Sequence, residues 1–159
     1  MIALAALAAC SSSGGAGGGK ADRGTISSAD RSIDIEDEAL RGSAADFIAN
    51  SGDRVFFAFD SSALTPDAKA TLNKQARWLT GNSRHGILIE GHTDERGTRE
   101  YNLGLGERRA DAAARYLIQE GVAAGKVRTI SYGKDRPIVV QGTAEERHRM
   151  NRVAVTVIE

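Results

Sequence analysis

The sequence holds one cysteine, Cys10, in 159 residues. A single thiol excludes any intrachain disulfide and any metal site built from cysteines. An excess of charge of one sign is also missing: 21 Lys and Arg balance 21 Asp and Glu, for a formal net charge of +0. That balance argues against a general nucleic-acid binder, which needs a basic field. No run approaches the roughly 18 apolar residues that span a bilayer. What is present is a chain 41% hydrophobic, enough for the core of one ordinary domain plus tails.

The hydrophobic residues are unevenly spread. Ser11 to Gly19 reads SSSGGAGGG, and small polar residues dominate to about Ser32. Such a composition cannot offset its ordering entropy, so residues 10–33 are expected to form a disordered tether. Cys10 follows the apolar run Ile2 to Ala9, the shape of a secretory h-region ending in small residues. Leu7-Ala8-Ala9-Cys10 resembles a bacterial lipobox. The resemblance implies a signal-peptide remnant over 1–9 and a mature N-terminal Cys10 carrying S-diacylglycerol and an N-acyl chain. No other cofactor is implied. Each buried methylene contributes about 0.8 kcal/mol, so two or three chains anchor stably where one does not. Ser11 after the cysteine resembles lipoproteins sorted to the outer membrane. No Lys or Arg precedes the apolar run, so the reading frame is expected to start further upstream.

The foldable part begins near Asp34, which can cap a short helical lead-in over 34–52. Leu40, Ala44, Phe47 and Ile48 fall at helical spacing within it. Val55 to Phe59 reads as a buried strand, with Phe56, Phe57 and Phe59 in the core. Thr65-Pro66-Asp67 starts a helix with a cap hydroxyl, Pro at the first position and an acid in the first turn. Ala68, Leu72, Ala76 and Leu79 share its apolar face. Ile87-Leu88-Ile89 is a second strand, and a longer helix runs from about Thr98 to Glu120. Val127 to Tyr132 is a third strand, Glu145 to Met150 a brief helix, and Val153, Val155 and Val157 alternate as a last strand. Strands interleaved with helices predict a compact two-layer α/β module. Trp78 lies off the main apolar face of its helix, placed either in a partly buried position or at a partner surface.

The chemistry concentrates between Ile87 and Ala110. A polar loop, His92 to Gly97, carries Asp94, and the helix after it carries Asn102 and Arg109. Residues seven apart share a helix face about 10 Å along the axis. Gly106 lies between them and costs on the order of 1 kcal/mol in a helix interior. It makes room either for a ligand or for a close backbone approach. Arg109 can grip a carboxylate through two parallel hydrogen bonds while Asp94 accepts from an ammonium. The pair suits an amino-acid-like zwitterion. The same two residues can instead form a structural ion pair. As surface sites, their removal should leave stability within about 1 kcal/mol.

Gly91-His92-Thr93-Asp94-Glu95-Arg96-Gly97-Thr98, Tyr101-Asn102-Leu103, Leu105-Gly106-Glu107-Arg108-Arg109-Ala110, Ser131-Tyr132-Gly133 and Asn151-Arg152 resemble the OmpA-like peptidoglycan-binding domain, from about Arg54 to Val157. ERG after HTD and LGERRA in the helix are most similar to the peptidoglycan-associated lipoproteins of the Tol-Pal system. The resemblance implies a mixed four-stranded sheet with helices packed on one face, in a domain over 53–159. It implies that Asp94 and Arg109 hold the diaminopimelate end of a stem peptide beside Asn102. Phe59 and Asp60 would line the pocket, with Thr93, Arg96 and Leu105 as neighbours. Members often read Asn-Arg-Arg where Val153 follows Asn151-Arg152 here, so no role carries over to a second arginine.

The function implied is non-covalent tethering of the outer membrane to peptidoglycan, with TolB and TolA as partners and no enzymatic activity. The alternatives are an OmpA-family lipoprotein that anchors the wall outside Tol-Pal and, more remotely, a metal-dependent cell-wall hydrolase. His92, Asp94 and Glu95 could start a metal site, but His85 and His148 show no convergence on them and zinc wants three or four ligands. Glu90, Asp94 and Glu95 form no readable pair of poised carboxylates. His92 reads as a hydrogen-bonded structural residue.

Overall fold

Three threonines each open a helix in the same way. Thr65, Thr98 and Thr143 take extended backbone, and each side chain accepts from a backbone N–H three residues on, at Ala68, Tyr101 and Glu146. Such caps satisfy donors that have no partner within the helix and contribute about 1 kcal/mol apiece. In a computed structural model that describes residues 40–159, they begin α2 (Pro66–Gly81), α3 (Arg99–Gln119) and α4 (Ala144–Asn151). Ser43 caps α1 (Ala44–Ser51) by accepting from Asp46. The strands are β1 (Arg54–Phe56), β2 (Ile87–His92), β3 (Val127–Gly133) and β4 (Val153–Ile158). The expected lipidation of Cys10, the expected tether and the Asp34 cap fall on residues outside those described.

The sheet order is β1-β4-β2-β3. β4 pairs antiparallel with β1 and β2, and β2 pairs parallel with β3, so the sheet is mixed as expected. A parallel pair needs a long crossover, and α3 supplies it, packing on both β2 and β3. Leu72, Ala76 and Leu79 of α2 join Ala110, Ala113 and Leu117 of α3 over Val55, Ile87, Ile89 and Ala154 of the sheet.

Gly91 and Gly106 set how close α3 comes to β2. A Cβ on Gly91 would overlap the Gly106 carbonyl, and one on Gly106 would stand 2.8 Å from the Gly91 carbonyl oxygen. Of the two readings of Gly106, close backbone approach is therefore the right one, and the space is filled rather than open to a ligand.

Two expectations need correction. The first strand ends at Phe56, and only Phe57 of the aromatic trio is buried: Phe56 is 40% exposed and Phe59 61%. Phe56 alternates with the buried Val55 and so faces the other way, and Phe59 lies beyond the end of the strand. In the lead-in, α1 starts at Ala44, and Leu40 and Ile48 are exposed while Phe47 alone is buried. In β4, Ala154 pairs with Val55 and Gly91 on the helix side. Val153, Val155 and Val157 alternate along the strand as expected, on the face opposite Ala154.

Trp78 is partly buried against the core. Its ring meets Phe47 edge-on at 5.1 Å and stacks on His85 at 5.8 Å. Its indole N–H donates to Asp46 Oδ2 at 2.8 Å, fastening α1 to α2.

Candidate functional site: a charged cleft at the C-terminal end of β2

In open α/β sheets the carboxyl ends of strands are where ligands sit. β2 runs out at His92, and the chain continues through Thr93 and Asp94 into the loop before α3. A cleft of about 170 Å³ opens there. Its lining includes all eight residues expected on it: Asp94, Arg109, Asn102, Asp60, Phe59, Leu105, Arg96 and Thr93. Tyr101 and Gly97 line it too.

Arg109 is 0% exposed, so the expectation of a surface arginine is wrong. Its Nε donates to the Ser61 carbonyl at 2.9 Å, Nη1 to the His92 carbonyl at 2.8 Å and Nη2 to the Ala58 carbonyl at 3.2 Å. The guanidinium thus ties the segment after β1 to the end of β2. Burial pushes its pKa down to about 10, opposed by the charge of Asp94. A guanidinium has five donors, so two N–H groups remain beyond those three bonds.

Asp94 is 5% exposed. Arg96 reaches both of its oxygens, Nε to Oδ1 at 3.2 Å and Nη2 to Oδ2 at 2.6 Å, and the Arg96 backbone N–H also donates to Oδ1. Burial raises the carboxyl pKa, but the Arg96 hydrogen bonds and charge outweigh it and hold Asp94 below the ordinary carboxylate range. Arg152 Nη1 stands 3.5 Å from Oδ2, and its Nε donates to the Phe57 carbonyl. Arg152 therefore backs Asp94 from outside the cleft lining, a role the sequence left unassigned. Its signal was the Asn151-Arg152 pair, but nothing local points it at a carboxylate 58 positions away.

The walls are held by the chain itself. Asn102 Nδ2 donates to the Arg96 carbonyl at 2.7 Å and the Thr98 carbonyl at 2.9 Å, closing the loop onto α3. Asp60 adopts a positive φ of 51°, uncommon for a residue with a Cβ, and accepts from the Tyr101 hydroxyl. The Arg96 guanidinium lies 4.1 Å above the exposed Phe59 ring, a cation–π geometry. Leu105 is buried at the cleft's apolar side. The Thr93 hydroxyl is buried with no hydrogen-bond partner.

His92 is a structural residue. It is fully buried, its Nδ1 lies 2.8 Å from the Arg136 carbonyl, and burial lowers its pKa. His85 and His148 stand apart from it, at Gly42 and Glu95 respectively. Among the described residues no three His, Cys, Asp or Glu side chains gather as a metal site would require.

Comparison with known families settles the lineage. The model of the OmpA family matches residues 56–151. This chain belongs to the OmpA family. It is 46% identical over 140 residues to the peptidoglycan-associated lipoprotein of Mesorhizobium japonicum, covering 88% of this chain and 78% of that protein. With the protein of the same name from Rhizobium meliloti it shares 52% identity over 120 residues, 76% of this chain and 68% of the other. The crystal structure of the peptidoglycan-associated lipoprotein from Burkholderia pseudomallei superposes with a TM-score of 0.66 at 36% identity, covering 74% of this chain and 97% of that one. The C-terminal domain of Helicobacter pylori MotB follows at a TM-score of 0.60 and 27% identity, over 67% and 84% of the two chains. The resemblance read from the loop and helix motifs is borne out, including its nearness to the peptidoglycan-associated lipoproteins. Those relatives are named for an association and not for a reaction.

Proposed function

We propose that this chain binds peptidoglycan non-covalently, taking the diaminopimelate end of a stem peptide into the cleft beyond β2. The ammonium would be held by Asp94 and the carboxylate by the two remaining N–H groups of Arg109. One observation carries the reading: an acid and a base, both withdrawn from solvent, line one small cleft with an unpartnered Thr93 hydroxyl. Opposite charges at low exposure attract more strongly than they do at the surface. The names of the relatives supply the ligand class.

The chain's entry point fits a tether. Gly42 lies against Arg84 and His85, just before the start of β2, while the cleft lies past its end. Six strand residues separate them, roughly 20 Å. A membrane anchor on Cys10 and a wall ligand would therefore attach at opposite ends of the domain, so that joining two modest grips holds the layers together. On this reading the chain works at the periplasmic face of the outer membrane, in the Tol-Pal system with TolB and TolA. TolB and peptidoglycan would compete for it.

The test is sedimentation with purified peptidoglycan. Asp94→Asn should lose retention while keeping its fold, and full retention would remove the assignment. Mass spectrometry of the protein made in a Gram-negative host should find the acyl chains on Cys10 and none on Cys10→Ser. TolB added to the sedimentation should release the bound chain, and a ternary pellet would reject competition.

A further inference from the structure

A second cleft, of about 340 Å³, opens against the first, with Phe59 and Arg96 forming the wall common to both. Its far side is His148, Arg149 and Arg152 on and after α4, and Glu145 is its one lining carboxylate. The neighbouring acids are spoken for. Asp94 is shared by Arg96 and Arg152, and Glu95 by Arg147 at 3.6 Å and His148 at 3.2 Å. Arg149 lies on the exposed face of α4 and feels Glu146 only as a nearby charge.

We propose that this second cleft is an anion subsite for the same ligand, taking a further carboxylate of the peptide over Phe59 against Arg96, Arg149 and Arg152. The proposal rests on the reading of the first cleft as the seat of a zwitterion. Its physical basis is the shared neutralisation of Asp94. An ammonium arriving at Asp94 competes with Arg96 and Arg152 for the carboxylate that now offsets them. Three guanidiniums are then left facing one lining carboxylate, and the neighbouring cleft becomes attractive to an anion. The ligand class that gains is an acidic peptide whose next residue bears a free carboxylate. An isolated diamino acid reaches only the first cleft.

Calorimetric titration separates the two clefts with three probes: meso-diaminopimelate, the tripeptide L-alanyl-γ-D-glutamyl-meso-diaminopimelate, and that tripeptide with its glutamyl α-carboxylate amidated. The free-acid tripeptide should bind roughly ten-fold more tightly than its amide, the size of one charge-assisted contact. Arg149→Gln should erase that difference and leave the affinity for meso-diaminopimelate within about two-fold. Equal affinity of the wild-type chain for the two tripeptides overturns the subsite, as does an Arg149→Gln chain that keeps the difference. If the first cleft is misread, the signature differs: meso-diaminopimelate fails to bind and Asp94→Asn changes nothing, which rejects both readings together.

Discussion

The two ends of β2 solve opposite problems. At its start, Ile87 is buried among apolar neighbours, and α1 is held by aromatic packing with one indole hydrogen bond. At its end, His92, Thr93, Asp94 and Arg109 are withdrawn from water, where each unpaired polar atom is costly. The first end is built from area, which tolerates partial loss. The second is built from specific hydrogen bonds to specific carbonyls, which do not degrade gradually. A cleft that presents charge without solvent needs the second kind of construction, and the fold places it where the strand stops covering itself.

The contact that both ends share should break hardest. Gly91→Ala puts a Cβ into the Gly106 carbonyl and lifts α3 from β2, so the chain should lose several kcal/mol or fail to fold. Chemical denaturation measures it, and a wild-type midpoint would mean that the helix has room to shift. Next comes Arg109→Met, which leaves the Ser61, His92 and Ala58 carbonyls without their donors. The expected cost is about 3 kcal/mol, so loss of ligand binding by this variant alone says nothing of contact. At the other end, Phe47→Ala removes a fully buried ring at about 2–3 kcal/mol, near the low end of the usual range because α1 can detach by itself. Peptidoglycan retention should survive it. If retention fell in step with stability, the two ends would not be independent. Asp94→Asn should cost about 1–2 kcal/mol, less than Arg109→Met because its Arg96 partner is half in solvent, while retention is lost. That inversion of effects is what distinguishes a ligand-binding group from the arginine that frames it.

Why some of this was legible beforehand follows from where the partners lie. Thr98 as a cap and α3 as a long helix depend on neighbours within four residues, so periodicity and composition reveal them. Gly106 announced itself by its helix-interior cost, but its partner Gly91 is visible only once β2 and α3 are stacked. The chemistry of Arg109 was half visible. Its residue type and spacing pointed to an anion, whereas its three bonds go to backbone carbonyls 17 to 51 positions away, and a carbonyl leaves no mark in a sequence. Phe56 and Phe59 look like core by composition. Phe56 is exposed because it alternates with buried Val55, and Phe59 because the strand has already ended, and neither the facing of the strand nor its end is marked by an unbroken apolar run.

The smallest effect tests the same comparison by pH. Asp46 accepts from the Gly42 backbone N–H at 2.9 Å and from the Trp78 indole, and these bonds, the Gly42 one foremost, hold its carboxyl below the ordinary value of 3.8. A carboxyl with a depressed folded pKa contributes stability that is fully present above its unfolded value and lost as pH falls through the folded one. The attachment of α1 should therefore be constant down to about pH 5 and weaken below about pH 4. Trp78 is the only tryptophan, so its fluorescence reports this end and not the cleft. Acidification should shift Trp78 emission before the circular dichroism of the whole domain changes. Asp46→Asn, which cannot titrate, should show no early shift. Asp94 is depressed too, so the later, global transition belongs partly to the cleft and should move in Asp94→Asn while the early one stays. A single coincident transition in all three chains would mean that α1 and the cleft unfold as one unit, and the division between the ends of β2 would be lost.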